Sequence, residues 1–206
     1  MIRAAHAWPS NAELIADVAD LYIDDDAMVV DVTYGKGTFW NVYTPKNLVA
    51  HDLDPAKGDG VDWGNLPEQD NSVDVLVFDP PYVSPGGRKT STLGDMNERF
   101  AMQMTAANPA GQWDRIVPGL EEAARVLVPK KGLLLFKCMN YVWAGKLQRP
   151  KVWADRELER LGFRVEDEFI FIGTPGPQPT LNKDGTKRRQ VHARNNASYL
   201  IVARKL

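Results

Sequence analysis

Short apolar runs separated by polar, glycine-rich segments dominate the pattern along the chain. Runs rich in valine and leucine, typical of strands covered on both faces, occur in AMVVDV, NLVAHD, VDVLVF and GLLLFKCMN. Helical spacing of apolar residues runs from Leu14 to Tyr22 behind the capping pair Ser10 and Glu13, and recurs in GLEEAARVL before Pro129. This alternation predicts an α/β fold with a mainly parallel, doubly wound sheet.

Two further runs lie near the end of the chain. FRVEDEFIFIG and ASYLIVARK predict a closing antiparallel pair of strands. Two long segments carry no periodic pattern, residues 83–113 and residues 173–196, and loops of this length are usually lids or binding loops, so we expect both to bind substrate. At 206 residues the chain has room for one domain, which we expect to span residues 1–206.

Composition narrows the possible classes of protein. A hydrophobic fraction of 44% and a charged fraction of 25% are typical of globular domains, and a net charge of −2 provides no overall attraction to nucleic acid. The single cysteine, Cys138, excludes an intramolecular disulfide and a cysteine-rich zinc site, and we expect no metal. Without a signal-like start or an apolar run of membrane-spanning length, we expect a cytoplasmic protein that makes no membrane contact.

Polar residues follow the predicted strands where α/β sheets place their ligands. Asp31 ends the first strand, and Gly35 and Gly37 in the next loop allow positive φ and a close backbone approach to a ligand. Asp52 ends the second strand, at roughly the 20-residue offset at which an acid binds ribose hydroxyls. The pattern predicts a nucleoside-containing cofactor. Because the full dinucleotide fingerprint and a P-loop are both missing, it favours neither a nicotinamide cofactor nor ATP.

Asp62 and Trp63 occupy a similar place after the second strand. A carboxylate can accept a hydrogen bond from an exocyclic amino group, and an indole can cover the face of an adenine. The alternative is a loop acid beside a partly buried tryptophan. The aromatic residues of the first loop, Tyr34, Phe39 and Trp40, are expected in the core.

The tetrapeptide DPPY, residues 79–82, follows the third apolar run. Two prolines cannot donate to a sheet ladder and hold φ near −65°, so Asp79 and Tyr82 are expected in a stiff backbone at the carboxyl end of the strand. A stiff turn without function is the alternative for the tetrapeptide alone. The cofactor motifs upstream of it favour a functional site.

The ordered motifs DVTYGKG, HDLDP and FDPPY resemble those of the S-adenosylmethionine-dependent amino-methyltransferases, which act on exocyclic nitrogens of adenine or cytosine in nucleic acid. Their order is similar to that of the gamma group of DNA methyltransferases. The resemblance covers about residues 29–140 and implies a Rossmann-like methyltransferase fold with S-adenosyl-L-methionine as cofactor. The cofactor-binding residues that it implies are Asp31, Gly35, Gly37, Asp52, Asp62 and Trp63.

The same resemblance assigns catalysis to Asp79, Pro80, Pro81 and Tyr82. Asp79 and the main-chain carbonyl of Pro80 accept the two amino hydrogens, and Tyr82 stacks on the base after it leaves the helix. Such transfer depends on alignment and polar stabilisation and uses no covalent nucleophile. Cys138 lies inside LLLFKC and is expected to be a core thiol, so we do not expect methylation of cytosine C5, which uses an exposed cysteine.

A local excess of basic residues predicts contacts with nucleic acid. The residues are Arg88, Lys89, Lys187, Arg188, Arg189, His192 and Arg194. For the stretch around TKRRQVHAR, a solvated hairpin tip is an equal alternative. The final segment, RRQVHARNNASYLIVARK, is similar to the end of small phage and actinobacterial DNA methylases and favours DNA over RNA.

Several functions stay open at this level. The preferred one is a site-specific DNA methyltransferase acting on adenine N6, or on cytosine N4, because both amines present the same geometry to Asp79. Others are an RNA amino-methyltransferase, a cofactor-binding but inactive scaffold or regulatory subunit, and a methyltransferase for small molecules or protein amides. The chain has no room for a separate target-recognition domain, so the two long loops, low specificity or a second subunit must account for target choice. The sequence does not indicate the oligomeric state.

Overall fold

The computed structural model describes residues 8–81, 108–173, 184–186 and 195–206 of the chain. Its helices are α1 (Asn11–Tyr22), α2 (Pro109–Val126) and α3 (Pro150–Arg160), with a short 3₁₀ turn at Thr38–Trp40. Its strands are β1 (Met28–Asp31), β2 (Asn47–Ala50), β3 (Val75–Phe78), β4 (Leu133–Met139), β5 (Tyr141–Trp143), β6 (Lys146–Gln148), β7 (Phe163–Ile172) and β8 (Ala197–Lys205).

Six strands form one sheet in the order β2-β1-β3-β4-β8-β7. Strands β2, β1, β3 and β4 run parallel, and β8 runs antiparallel to both β4 and β7. The predicted parallel sheet with a closing antiparallel pair is confirmed. Strands β5 and β6 form a separate hairpin.

Helices cover both faces of this sheet. Because side chains alternate along a strand, Leu76 and Phe78 of β3 pack on the face covered by α2 and α3, whereas Val75 and Val77 pack toward α1. All four residues of β3 are therefore buried, which explains why the run is continuously apolar.

The start of α1 confirms its predicted cap. Ser10 stands at the N-cap, and its hydroxyl accepts from the amide of Ala12 at 3.1 Å. The Glu13 carboxylate in turn accepts from the Ser10 hydroxyl. Helix α1 then buries the apolar side chains that the spacing places on one face.

Helix α2 begins earlier than the sequence pattern predicts. Residues 109–113, assigned to a loop over residues 83–113, belong to its first turns. Asn108 caps the helix by accepting from the amide of Gly111 at 2.9 Å, and Pro109 stands at the first helical position, where its missing N–H costs nothing. Pro118 lies inside the helix and interrupts the helical pattern.

Most of the two long predicted loops lies outside the described residues, which exclude 82–107, 174–183 and 187–194. Among the described residues, no helix has both the length and the hydropathy needed to cross a bilayer.

The strand order reverses at β1, which has β2 on one side and β3 on the other. Open α/β sheets bind their ligands in the crevice at such a point, outside the carboxyl ends of the strands. The fold therefore directs attention to the residues that follow β1, β2 and β3.

Candidate active site

Three aspartates meet at the carboxyl edge of the sheet. Asp31 ends β1, Asp79 directly follows β3, and Asp52 lies two residues beyond β2. Parallel pairing places Asp31 beside Ala50 and Val77, so the three chain segments leave the sheet together. They enclose a cleft of about 70 Å³. Its walls are formed by Val32, Thr33, Gly35, Asp52, Leu53, Lys57, Trp63, Asp79 and Pro81.

Asp52 holds the glycine loop in place. Its two carboxylate oxygens accept from the amides of Gly35 at 2.8 Å and Asp54 at 2.9 Å, and the residue is 8% exposed. Gly35 has a φ of +59°, a conformation that glycine adopts without strain. A side chain at Gly58 would come within 2.7 Å of the Asp52 Cβ, so this glycine allows the return loop to close over the acid. Each Asp52 oxygen retains a lone pair for a further donor.

Gly37 turns the chain beneath this loop. Its φ is +66°, and a Cβ there would lie 2.7 Å from the Cζ of Tyr34. Gly37 therefore has a structural reason to be glycine and does not line the cleft. The structure brings Gly35 to the cleft and places Gly37 behind it.

Asp31 is buried behind the cleft wall. It is 2% exposed, and its oxygens accept from the amide of Thr33 at 2.9 Å and the indole Nε1 of Trp40 at 2.8 Å. Burial raises the pKa of Asp31 to about 6, against the opposing effect of these hydrogen bonds. Trp40, predicted in the core, is indeed buried there.

Asp79 has one carboxylate oxygen engaged and one without a donor. Its amide donates to the Thr33 hydroxyl at 2.8 Å, and its Oδ2 lies 3.3 Å from the Nζ of Lys137. Its Oδ1 is buried and receives no hydrogen bond from the described residues. None of these residues donates to the carbonyl oxygen of Pro80 either. Two acceptors therefore stand next to each other in the chain, on adjacent residues at the end of β3.

The prolines are held from α2. The buried side-chain amide of Gln112 donates through Nε2 to the carbonyl oxygen of Pro81. Sequence reasoning missed this contact and those of Thr33 and Lys137. A polar residue on an apolar helix face such as Gln112 is a weak signal, but a lysine inside the apolar run LLLFKC is a clear one, because a buried charge requires a partner.

Lys137 is buried where β4 passes β3. It is 4% exposed, and its Nζ lies 5.2 Å from the ring centre of Phe39 and 5.9 Å from that of Phe171. Both distances are within the range of cation–π attraction. Phe39, predicted in the core, thus packs against the ammonium group.

The structure separates Asp62 from Trp63. Trp63 is 6% exposed and lines the cleft. Its ring packs at a tilt against that of Phe78, with 5.5 Å between the ring centres, and its Nε1 donates to the carbonyl of Arg115 at 3.0 Å. Asp62 is exposed, accepts from the amide of Gly64 at 2.8 Å, and is not part of the cleft wall. Their cofactor contacts stay predictions.

Cys138 is confirmed as a core residue. It is fully buried on the α2 face of β4, and burial raises the pKa of its thiol to about 12. A thiol that is buried and protonated cannot serve as a nucleophile.

Several predicted site residues lie outside the described part of the chain and stay predictions. They are Tyr82, Arg88, Lys89, Lys187, Arg188, Arg189, His192 and Arg194. Within the described residues, no group of three or more histidine, cysteine or acidic side chains is arranged to hold a metal ion.

A larger cavity of about 550 Å³ lies at the opposite, amino-terminal edge of the sheet. Two of its charged lining residues are engaged in other contacts: Asp74 accepts from the amide of Met28 at 2.9 Å, and Arg204 donates to Glu166 at 2.6 Å. Ligands of this fold class bind at the carboxyl edge, so size alone does not make this cavity the active site.

Comparisons with known proteins agree with the fold. No protein-family profile and no curated protein matches the sequence. A chain in the complex of the Haloferax volcanii Trm112 methyltransferase activator with its methyltransferase is 15% identical, with a TM-score of 0.54 over 93% of this chain and 92% of that one. A Bacillus halodurans C-125 protein described as a methyltransferase is 16% identical, with a TM-score of 0.52 over 94% and 99%.

A Thermus thermophilus protein described as a DNA modification methylase also matches, at 17% identity and a TM-score of 0.43 over 70% of this chain. This chain spans about half of that protein's length, 52%. At such identities the likenesses show the fold alone: the chain has the Rossmann-like fold of S-adenosylmethionine-dependent methyltransferases.

Proposed function

We propose that the protein transfers a methyl group from S-adenosyl-L-methionine to an exocyclic amino group of a nucleic-acid base, with adenine N6 in DNA as the preferred target and cytosine N4 as its close variant. The observation that carries the proposal is the buried Oδ1 of Asp79 at the carboxyl end of β3, which no described residue partners. A buried acceptor without a donor costs about 1–3 kcal/mol, so this oxygen is suited to accept a hydrogen bond from a ligand.

The residues around the cleft fit the cofactor chemically. Asp52 retains lone pairs for ribose hydroxyls, and Gly35 presents bare backbone where a nucleoside would pass. Trp63, which lines the cleft, provides an aromatic surface. Small-molecule sites usually measure about 300–1,000 Å³, so binding requires the cleft walls to move apart.

The acceptor pair suits an amino group that bears two hydrogens. Asp79 Oδ1 and the carbonyl of Pro80 each take one N–H of the base, which draws the nitrogen away from planarity and restores its lone pair. When bound, S-adenosyl-L-methionine would supply an electrophilic methyl group on a sulfonium and would leave as the neutral thioether S-adenosylhomocysteine. The proton that the amine loses on methylation would leave through the Oδ1 of Asp79, which accepts that N–H. The chain contributes alignment and polar stabilisation.

Transfer of this kind depends on alignment and not on a nucleophile, and hydrogen bonds at both ends of residues 79–81 support that alignment. Thr33 fixes the Asp79 amide and Gln112 fixes the Pro81 carbonyl, so both ends of Asp79–Pro81 are tied to the scaffold. Tyr82 follows directly and is proposed to stack on the base. The basic residues around TKRRQVHAR support a nucleic-acid substrate, and the choice of DNA over RNA rests on the resemblance of the final segment.

The test is methyl transfer with radiolabelled S-adenosyl-L-methionine. The purified chain is incubated with unmethylated DNA and, separately, with total RNA, and a D79A variant serves as the inactive control. The proposal is supported if the wild-type chain transfers label to DNA and the D79A variant does not. Label confined to RNA overturns the DNA substrate, and cofactor binding without transfer to either overturns the catalytic function in favour of a scaffold.

A further inference from the structure

The ammonium of Lys137 contacts the predicted catalytic tetrapeptide, at the Oδ2 of Asp79. It stands on β4, and the parallel register that pairs Phe78 with Phe136 carries Lys137 to the level of Asp79. Because side chains alternate along strands, both point to the α1 face of the sheet. The contact is therefore set by the strand register and does not depend on a loop.

Burying this lysine is costly. An ammonium that is 4% exposed has lost nearly all its water, and the structure compensates with one carboxylate oxygen and the faces of Phe39 and Phe171. A core position on a central strand is normally apolar, as Leu133 and Leu135 are on the same face. Because burying the Lys137 ammonium costs desolvation free energy, its presence in the core indicates a function other than stabilising the fold.

We propose that Lys137 is a positioning residue that occupies Oδ2 of Asp79 and so leaves Oδ1 as the carboxylate's acceptor for the amino group of the substrate; this rests on the proposed function. The two oxygens of a carboxylate are chemically equivalent, and rotation about the Cβ–Cγ bond of Asp79 exchanges their positions. A charge-assisted hydrogen bond at 3.3 Å breaks that equivalence. The other oxygen is the one that is buried and has no donor among the described residues.

Loss of Lys137 should separate catalysis from cofactor binding. Without the lysine, Asp79 is free to rotate, so the amine is held less often in its reactive orientation and kcat falls. The cofactor carries a positive sulfonium, and removing a nearby positive charge does not weaken its binding. A purely structural lysine would instead lower kcat, cofactor affinity and stability together.

The test compares K137M, K137R and a control, K205M. Lys205 lies at the far end of β8, where its Nζ donates to the carbonyl of Leu127 at 2.7 Å. We expect K137M to lower kcat about 10- to 100-fold, the range for loss of one charged hydrogen bond. We expect cofactor affinity, measured by calorimetry, to change less than about threefold. K137R should recover part of the rate, and K205M should leave kcat unchanged.

A double mutant isolates the coupling to Asp79. If Lys137 acts through Asp79, then D79N/K137M is no slower than D79N, whereas independent roles make the two losses multiply. Should K137M fail to fold by circular dichroism, K137Q gives the same comparison. A wild-type rate in K137M or K137Q, or multiplied losses in the double mutant, overturns this inference and leaves the proposed function standing. An inactive wild-type chain overturns the proposed function and this inference with it.

Discussion

At the residue scale, two carboxylates of one cleft have different tasks. Asp79 presents an oxygen without a described partner, whereas Asp52 holds the glycine loop through the amides of Gly35 and Asp54. We expect D79A to abolish methyl transfer while cofactor affinity changes less than about threefold. D52A should weaken cofactor binding by about tenfold or more, since a charged hydrogen bond contributes about 1.5–3 kcal/mol. Calorimetry and transfer assays on both variants check this, and equal loss of both properties in both variants would show that the roles are misassigned.

We expect a third carboxylate, that of Asp31, to make cofactor affinity depend on pH. Burial raises the pKa of Asp31 to about 6, so the free protein ionises this acid only as the pH passes that value. If the sulfonium of the bound cofactor lies near Asp31, it favours the ionised form, and we expect the affinity for S-adenosyl-L-methionine to rise between about pH 5 and pH 7 and then level off. The neutral product S-adenosylhomocysteine should show a weaker dependence, and D31N should show none.

This dependence is measured as the dissociation constant at a series of pH values. If both ligands respond to pH equally, the effect does not come from the sulfonium charge. If D31N keeps the dependence, Asp31 is not the group that titrates.

At the element scale, a buried histidine fastens the loop that follows β2. His51 lies between the carboxylates of Asp59, 2.6 Å from Nδ1, and Glu68, 2.8 Å from Nε2. Burial disfavours the charged imidazole, but the hydrogen bonds of both acids outweigh it and raise the pKa of His51 above its usual value. The two acids flank Trp63 in sequence, so this histidine ties both ends of the segment that forms one cleft wall.

The sign of the resulting pH effect follows from linkage. A histidine whose pKa is raised by folding contributes its full stabilisation below the unfolded pKa of about 6.5, and the contribution is lost as the pH rises through the folded pKa. We expect the free energy of unfolding, measured with urea, to fall as the pH rises above about 6.5. H51N should be less stable at about pH 6 and should lack this decline. A decline of equal size in H51N would assign it to another group.

Elements with local signals could be predicted, and those that depend on packing could not. The N-terminal cap of α1 and the apolar runs of β1, β3 and β4 could be predicted, because a capping pair marks the start of a helix and short continuous apolar runs between turn residues are typical of buried strands. The hairpin of β5 and β6 turns at Ala144 and Gly145, both with positive φ, and alanine carries no signal for such a turn. Helix α3, which begins with Pro150, has a mixed surface with few apolar residues, so its pattern is weak.

The continuity of helix α2 also depends on packing that the sequence does not reveal. A Cβ at Gly119 would lie 2.7 Å from Phe78 and 2.8 Å from Trp63, so the glycine sits where the helix touches the sheet. Sequence alone presents Pro118 and Gly119 as a helix boundary. In the structure the helix continues through both residues, because its packing against the sheet stabilises it there.

The candidate site also combines residues that local sequence signals identify with residues that only the fold brings to it. Acids and glycines at strand ends could be located because their spacing reflects the fold, and Asp52, Gly35 and Asp79 all line the cleft. The contacts of Thr33, Lys137 and Gln112 with the tetrapeptide could not be predicted, since each residue reaches it from another part of the chain. The lysine inside the apolar run of β4 signals only that a buried charge needs a partner, not which one. Asp62 is exposed and accepts from the amide of Gly64, and its contact with the cofactor stays a prediction.

At the scale of the whole molecule, a net charge of −2 requires nucleic-acid affinity to come from local basic segments. If Arg188 and Arg189 contact phosphates, R188Q/R189Q should reduce the slope of log affinity against log salt by up to about 1.8, or about 0.9 for each phosphate that is no longer neutralised. Binding to a labelled duplex across a salt series measures the slope. The K205M variant serves as control, and an unchanged slope in R188Q/R189Q would remove these arginines from the interface.

The central claim is that the tetrapeptide holds a planar exocyclic amine against a methyl donor. Mass spectrometry of nucleosides from DNA treated with the chain and S-adenosyl-L-methionine tests it most directly. We expect N6-methyladenine, or N4-methylcytosine, in wild-type reactions and neither in D79A reactions. Methylation confined to cytosine C5 or to a ring nitrogen, or the same product from D79A, would contradict the claim.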